Sequence, residues 1–186
     1  MSPSKSAASA VLGAAIAVSA AGCWNPFNPD DDPDPSELQY YDFCDSAYKV
    51  IENLKYAYMT RDIDLYVSCF RDDFEFHLLE VDWADYNGDS IIDTYWGLDL
   101  EEAFNENVFE NSENIELTFL GNQEYEWSGA EPGQGYLELP RNFDLYVYTN
   151  SAGTEGFHAQ GLARFVCRPD STGEYYIYRW FDESVF

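Results

Sequence analysis

Basic residues are what this chain most conspicuously lacks. Nine lysines and arginines stand against 35 aspartates and glutamates, and there are only two histidines. That shortage argues against nucleic acid as a partner, because phosphate binding takes a basic surface. It argues equally against docking on an anionic lipid surface. Four cysteines are present, but no CxxC pair and no cysteine–histidine spacing that would suit zinc. A glycine-rich phosphate loop, a nucleophile elbow and a zinc-type histidine motif are also absent. The longest apolar stretch, Ala7 to Ala21, is too short to cross a bilayer as a helix.

What the chain has in quantity is acid and aromatic rings. The net charge is −26, yet 18% of residues are aromatic. A disordered acidic chain carries few aromatics, so a packed core beneath an acidic skin is expected. The acidity itself is a solvated surface, or it suits a salty habitat or divalent cations. A length of 186 residues leaves room for one ordinary domain.

Lys5 followed by the small, apolar run Ala7–Ala21 fits the start of a secretory signal. Ala20-Ala21-Gly22-Cys23 then resembles the lipobox of bacterial lipoproteins, although Ala20 stands where that pattern usually has Leu. The resemblance implies cleavage before Cys23, lipid on its thiol, and an exported protein anchored to the bacterial cell envelope. The alternative is a plain cleavable signal and an ordinary cysteine. On the first reading residues 1–22 are a signal peptide and residues 23–35 a tether. Its WNPFNPDDDPDP stretch, with four prolines and four aspartates, cannot form a helix or a strand ladder. Extended at about 3.1 Å per residue, it reaches roughly 35 Å. Residues 36–186 form the domain. Within it Cys44, Cys69 and Cys167 allow one disulfide and a leftover thiol, or three buried free thiols.

Ser36 with Gln39 makes a capping-box pattern. Leu38, Tyr41, Cys44, Ala47 or Tyr48, Ile51, Leu54 and Tyr58 recur at three and four, predicting one helix of about six turns. Asp62 is a candidate N-cap for a short helix to about Phe70. From Phe74 the period becomes two, with Phe74, Phe76 and Leu78 on one face and Glu75 and His77 on the other. Residues 81–98 read as a loop. A helix restarts at Asp99, with Leu100, Ala103 or Phe104, and Val108 apolar. After Ser112 strands dominate. Ile115, Leu117 and Phe119 alternate with polar residues, and so do Phe143, Leu145 and Val147. Helices followed by strands predict an α+β fold: a strongly curved antiparallel sheet wrapping its helices into an open-mouthed cone.

Two segments resemble the NTF2-like superfamily, which includes ketosteroid isomerase and the polyketide-cyclase-like proteins. One is the break Thr60-Arg61-Asp62-Ile63-Asp64 after the first helix. The other is Phe70-Arg71-Asp72-Asp73-Phe74, before the first strand. The likeness covers roughly residues 36–183, and implies the cone fold and a homodimer through the sheet face. Ketosteroid isomerases place a tyrosine on the first helix and an aspartate near the end of the first strand. Leu54 and Leu78 hold those places here, and neither can move a proton. No catalytic residue is therefore assigned.

Leu54, Tyr58, Phe74, Phe76 and Leu78 are expected near the interior of an apolar cone, either lining a pocket or simply filling the core. On the outer sheet face Tyr146, Tyr148, Tyr176, Tyr178 and Trp180 suggest an aromatic patch for a protein partner, a dimer or sugar rings. His77 beside Glu75 reads as a base with its orienter or as a surface pair.

One loop has metal-like spacing. Asp85, Asn87, Asp89 and Asp93 occupy positions 1, 3, 5 and 9 of a pattern resembling EF-hand and dockerin calcium loops, with Ser90 in place of glycine and Trp96 in place of the bidentate glutamate. The expectation is calcium, or an acidic surface loop without it.

The leading functional expectation is a non-catalytic domain binding a small apolar molecule or an envelope protein. The alternatives are an isomerase, cyclase or dehydratase with acids placed elsewhere, and a calcium-stabilised surface interaction module. One observable separates the first two: an enzyme needs a titratable group inside the cone.

Overall fold

The computed structural model describes residues 38–129 and 134–185. The signal, Cys23, the tether and the Ser36 capping box lie outside the described residues.

The first helix, α1 (Ala47–Thr60), starts well after the position the apolar spacing predicts. Residues 38–46 form an irregular strap instead, rich in Asp and Ser, whose side chains favour local non-helical turns. Asn53 of α1 holds the strap in place. Its Oδ1 accepts from the Tyr41 N–H at 2.8 Å, and its Nδ2 donates to the Tyr41 carbonyl at 2.9 Å and to the Cys44 sulfur at 3.3 Å. The three-and-four spacing of Tyr41 and Cys44 thus reflects packing against α1, not helix.

Arg61 ends α1 in the left-handed region (φ 56°), and its guanidinium donates to the Ser112 carbonyl. Asp62 then caps α2 (Ile63–Ser68) by accepting from the Leu65 N–H at 3.0 Å.

The remaining elements are β1 (Glu75–His77), a single 3₁₀ turn at Glu80–Asp82, β2 (Tyr95–Trp96), α3 (Leu98–Glu110), β3 (Asn114–Leu120), β4 (Tyr125–Glu126), β5 (Leu137–Tyr148), β6 (Gly156–Pro169) and β7 (Tyr175–Val185). They form one sheet in the order β2-β1-β7-β6-β5-β3, with β4 also on β5. Every pair is antiparallel except β1 with β7, which run parallel. The sheet is therefore mixed, not wholly antiparallel. The long excursion between β1 and β7 supplies the connection a parallel pair requires.

The inner face follows the predicted alternation. Ile115 faces Val147, Leu117 faces Leu145 and Phe119 faces Phe143 across β3 and β5. The core beneath holds Leu54, Tyr66, Phe70 and Phe165, each at most 2% exposed. Cys44, Cys69 and Cys167 are buried and free, which selects the three-thiol alternative. Burial pushes the Cys44 thiol up to about 11 and the other two higher still, so all three stay protonated and unreactive.

A register shift near Val166 and Cys167 changes the phase of β7. Cys167 faces Ile177 and Val166 faces Arg179, leaving Tyr178 as the extra residue of a bulge. Ile177 and Trp180 both become buried as a result. A strict period of two places Tyr176, Tyr178 and Trp180 on one outer face; the bulge turns Trp180 to the inside.

Candidate ligand pocket

The helix α3 is turned differently from its apolar spacing. Leu100 and Phe104 are 42% and 59% exposed, and the buried residues are Glu101, Asn105 and Phe109. These sit four apart, one above the other on a single helix face. Two of the three are polar, and both are satisfied by neighbours from other elements.

Glu101 Oε1 accepts from the Tyr66 hydroxyl of α2 and from Asn105 Nδ2 at 3.0 Å. Its Oε2 accepts from the Trp96 indole N–H of β2 at 2.6 Å. Asn105 Oδ1 in turn accepts from the Tyr58 hydroxyl of α1 at 2.7 Å. Edge-on rings complete the cluster: Tyr58 lies 5.3 Å from Tyr66 and 5.4 Å from Phe109.

Burial raises the Glu101 carboxyl above its ordinary range, and the charge of Asp182 raises it further. The hydrogen bonds from Tyr66, Trp96 and Asn105 oppose that shift without cancelling it. Burial and the Glu101 charge push the Tyr58 and Tyr66 hydroxyls upward, so both remain donors at neutral pH.

This cluster borders a cavity of about 300 Å³. Its walls come from β1 and the residue after it (Phe76, Leu78), β3 (Leu117, Phe119) and β5 (Phe143, Leu145), with Trp180 of β7 also facing it. Trp96 stacks on Phe76 at 4.8 Å, nearly parallel, and Trp180 packs tilted against the same ring at 5.2 Å. The partly exposed Tyr86, Phe104 and Phe157 mark where the cavity opens. Asp82 and Asp182 are two further acidic residues of the lining.

Of the residues expected at the cone interior, Tyr58, Phe76 and Leu78 line this cavity. Leu54 and Phe74 do not: they are core residues, 0% and 2% exposed, and Phe74 packs on Phe70 at 4.4 Å. Glu101 and Asn105 were missed by sequence reasoning because an apolar stripe defines the inward face of a helix only when the inward residues are apolar. The available signal was a pair of hydrogen-bonding side chains four apart within a short helix.

The side chains of the acidic loop cap its own backbone. Asp85 accepts from the backbone N–H groups of Gly88, Asp89 and Ser90 at 2.7–3.1 Å, and Asp93 accepts from Tyr86 N–H at 3.0 Å and lies 3.5 Å from Asn87 Nδ2. Asp89 accepts from the Ile91 N–H. Ser90 adopts φ 69°, the conformation the pattern's glycine would supply. Among the described residues, no group of three or more His, Cys, Asp or Glu side chains is placed to hold a metal ion.

The two histidines lie apart from the cavity lining. His77 stacks on Phe181 at 4.5 Å beside Glu75, and His158 stacks on Tyr146 at 4.1 Å beside Asp144. The aromatic patch expected outside is divided. Tyr146 stacks with Tyr148, whereas Tyr178 joins Tyr136 and Trp127 around Arg168 and Arg179, and Tyr176 is buried against Arg168.

No protein-family model and no curated protein sequence matches this chain. Solved structures do. A conserved protein from Planctomyces limnophilus aligns over 74% of this chain and 92% of its own, with a TM-score of 0.57 and 17% identity. A proposed scytalone dehydratase from Novosphingobium aromaticivorans covers 75% and 81%, with a TM-score of 0.54 and 9% identity. A proposed dehydratase of the NTF2-like family from Streptomyces avermitilis covers 71% and 88%, with a TM-score of 0.50 and 9% identity. At these identities the likeness is one of fold alone: the chain has the α+β cone of NTF2-like proteins.

Replacing Glu101 tests the cluster. In Glu101→Gln one acceptor becomes an NH₂ group that faces a donor, so the variant loses about 1–3 kcal/mol of stability in urea unfolding at acidic pH. A carboxyl raised in the folded state favours folding most at low pH, and that advantage fades as pH rises through its folded value. The gap between wild type and variant therefore narrows from pH 4 toward pH 8; a gap that widened over that range would contradict the assigned environment.

Proposed function

We propose that this domain binds a small, predominantly apolar molecule inside its cone, and that lipid on Cys23 tethers it to the bacterial cell envelope. The binding reading is supported chiefly by the cavity. Pockets for small ligands begin at about 300 Å³ and are lined mainly by apolar and aromatic side chains with a few convergent polar groups. A dry cavity of about 150 Å³ takes up one benzene, so this one suits one or two rings. The tether reading is supported by Ala7–Ala21, the Gly22-Cys23 junction and the Pro/Asp-rich stretch that follows.

A second reading, an isomerase, cyclase or dehydratase, is favoured by Glu101. A buried, hydrogen-bonded carboxyl whose pKa burial raises above its ordinary range, at a cavity wall, is the kind of group that moves protons in a catalytic site. The structural neighbours described as dehydratases make water elimination the reaction to examine first.

Three measurements separate these readings. Naphthalene titrated into the domain should change tryptophan emission, because Trp96 and Trp180 line the cavity. Val108→Trp, which fills the cavity from α3, should weaken that binding by roughly tenfold or more while the melting temperature stays close to wild type. Unaltered binding in the variant would refute the pocket. Hydroxylated cyclic ketones should lose water in the presence of wild type and about a hundredfold more slowly with Glu101→Gln if Glu101 is the acid; equal rates would remove the enzymatic reading. Cys23→Ala should shift the full chain from the membrane fraction to the soluble fraction and remove the mass of a lipid. Unchanged partitioning and mass would end the tether proposal.

A further inference from the structure

We infer that the molecule this cavity takes is a lipophilic cation, an aromatic or alicyclic amine carrying its positive charge on nitrogen. The inference rests on the binding reading above and adds the ligand's charge to it.

The lining decides the sign. It includes the acidic residues Asp82, Glu101 and Asp182, and among the described residues no lysine, arginine or histidine contributes to it. Three arginines of β6 and β7 are paired with acids elsewhere. Arg164 pairs with Glu138 and Glu183, Arg179 with Glu75, and Arg168 with Asp73. An anion entering the cavity meets like charge with no basic side chain in the lining to receive it.

Glu101 points the same way. Its hydrogen-bond partners Tyr66, Trp96 and Asn105 are all neutral donors. A carboxylate offers about four acceptor positions. Tyr66 and Asn105 occupy Oε1, whereas among the described residues Trp96 is the single partner of Oε2, which leaves room for one more N–H. A buried carboxylate held only by neutral donors gains most from a counter-ion, and an ammonium group in the cavity supplies one.

The aromatic walls favour the same ligand. Half of the lining side chains are aromatic. The negative faces of Trp and Tyr rings attract a cation, most strongly where water is excluded. A neutral ring compound would gain only apolar burial from these walls. A cation also gains the ring faces and the carboxylates, which together replace the hydration shell it gives up.

Three near-isosteric probes test the charge: protonated N,N-dimethylbenzylamine, its carbon analogue isobutylbenzene, and phenylacetate. Each is titrated at pH 7 in about 150 mM salt, where non-specific attraction to the acidic surface is screened, and read as displacement of naphthalene by tryptophan emission. The expected result is an amine affinity on the order of tenfold above that of isobutylbenzene, with phenylacetate the weakest. In Glu101→Gln and Asp182→Asn the ratio of amine to isobutylbenzene affinity should fall toward one. Isobutylbenzene binding as tightly as the amine in wild type would overturn the cationic ligand and leave the apolar pocket standing. Failure of naphthalene and all three probes to bind would overturn both.

Discussion

The carboxyl of Glu101 is the interaction on which the rest of this domain depends. It is one side chain, 2% exposed, that receives hydrogen bonds from α2, from β2 and from its own helix. Through Asn105 it is also linked to Tyr58 of α1. A carboxyl removed from water costs several kcal/mol unless such donors meet it. Having met them, it locks the rotation of α3 about its own axis, and that rotation determines which side chains face the sheet. Leu100 and Phe104 are left partly in water because the inward stripe is taken by Glu101, Asn105 and Phe109.

The cavity is a consequence of that arrangement. A helix presenting Leu or Phe at positions 101 and 105 would fill the space between itself and the sheet. A hydrogen-bonded Glu and Asn hold the helix against Tyr58, Tyr66 and Trp96 and leave a volume of about 300 Å³ in front of Leu117, Phe119 and Phe143. The bulge in β7 contributes from the other side. By inserting Tyr178 it turns Trp180 inward onto Phe76, and places Asp182 in the same lining. Polar satisfaction and a single strand irregularity together produce an open, acidic, aromatic chamber where uniform packing would have produced a solid core.

Much of the scaffold was legible along the chain. Asp62 as a cap, the alternation of Ile115, Leu117 and Phe119, and that of Phe143, Leu145 and Val147 are local patterns, and local hydrogen bonding and face selection enforce them. Three features were not legible. The strap at residues 38–46 keeps helical spacing in its apolar residues but takes its hydrogen bonds from Asn53, a partner on α1. The parallel pairing of β1 with β7 joins segments some hundred residues apart with no turn to announce it. The phase of β7 depends on its register against β6, which no feature of β7 alone reveals.

The sequence by itself determined the acidic, aromatic character of the domain, its α+β order, the cap between the first two helices and the inward faces of its central strands, because each follows from composition or from neighbours close in the chain. Only the tertiary structure decided that Tyr58, Tyr66, Trp96, Glu101 and Asn105 meet. They come from four separate elements, and a buried carboxyl becomes tolerable only when donors distant in sequence converge on it. The chemistry of the pocket was written in polar residues that look, in one dimension, like the solvated side of a helix.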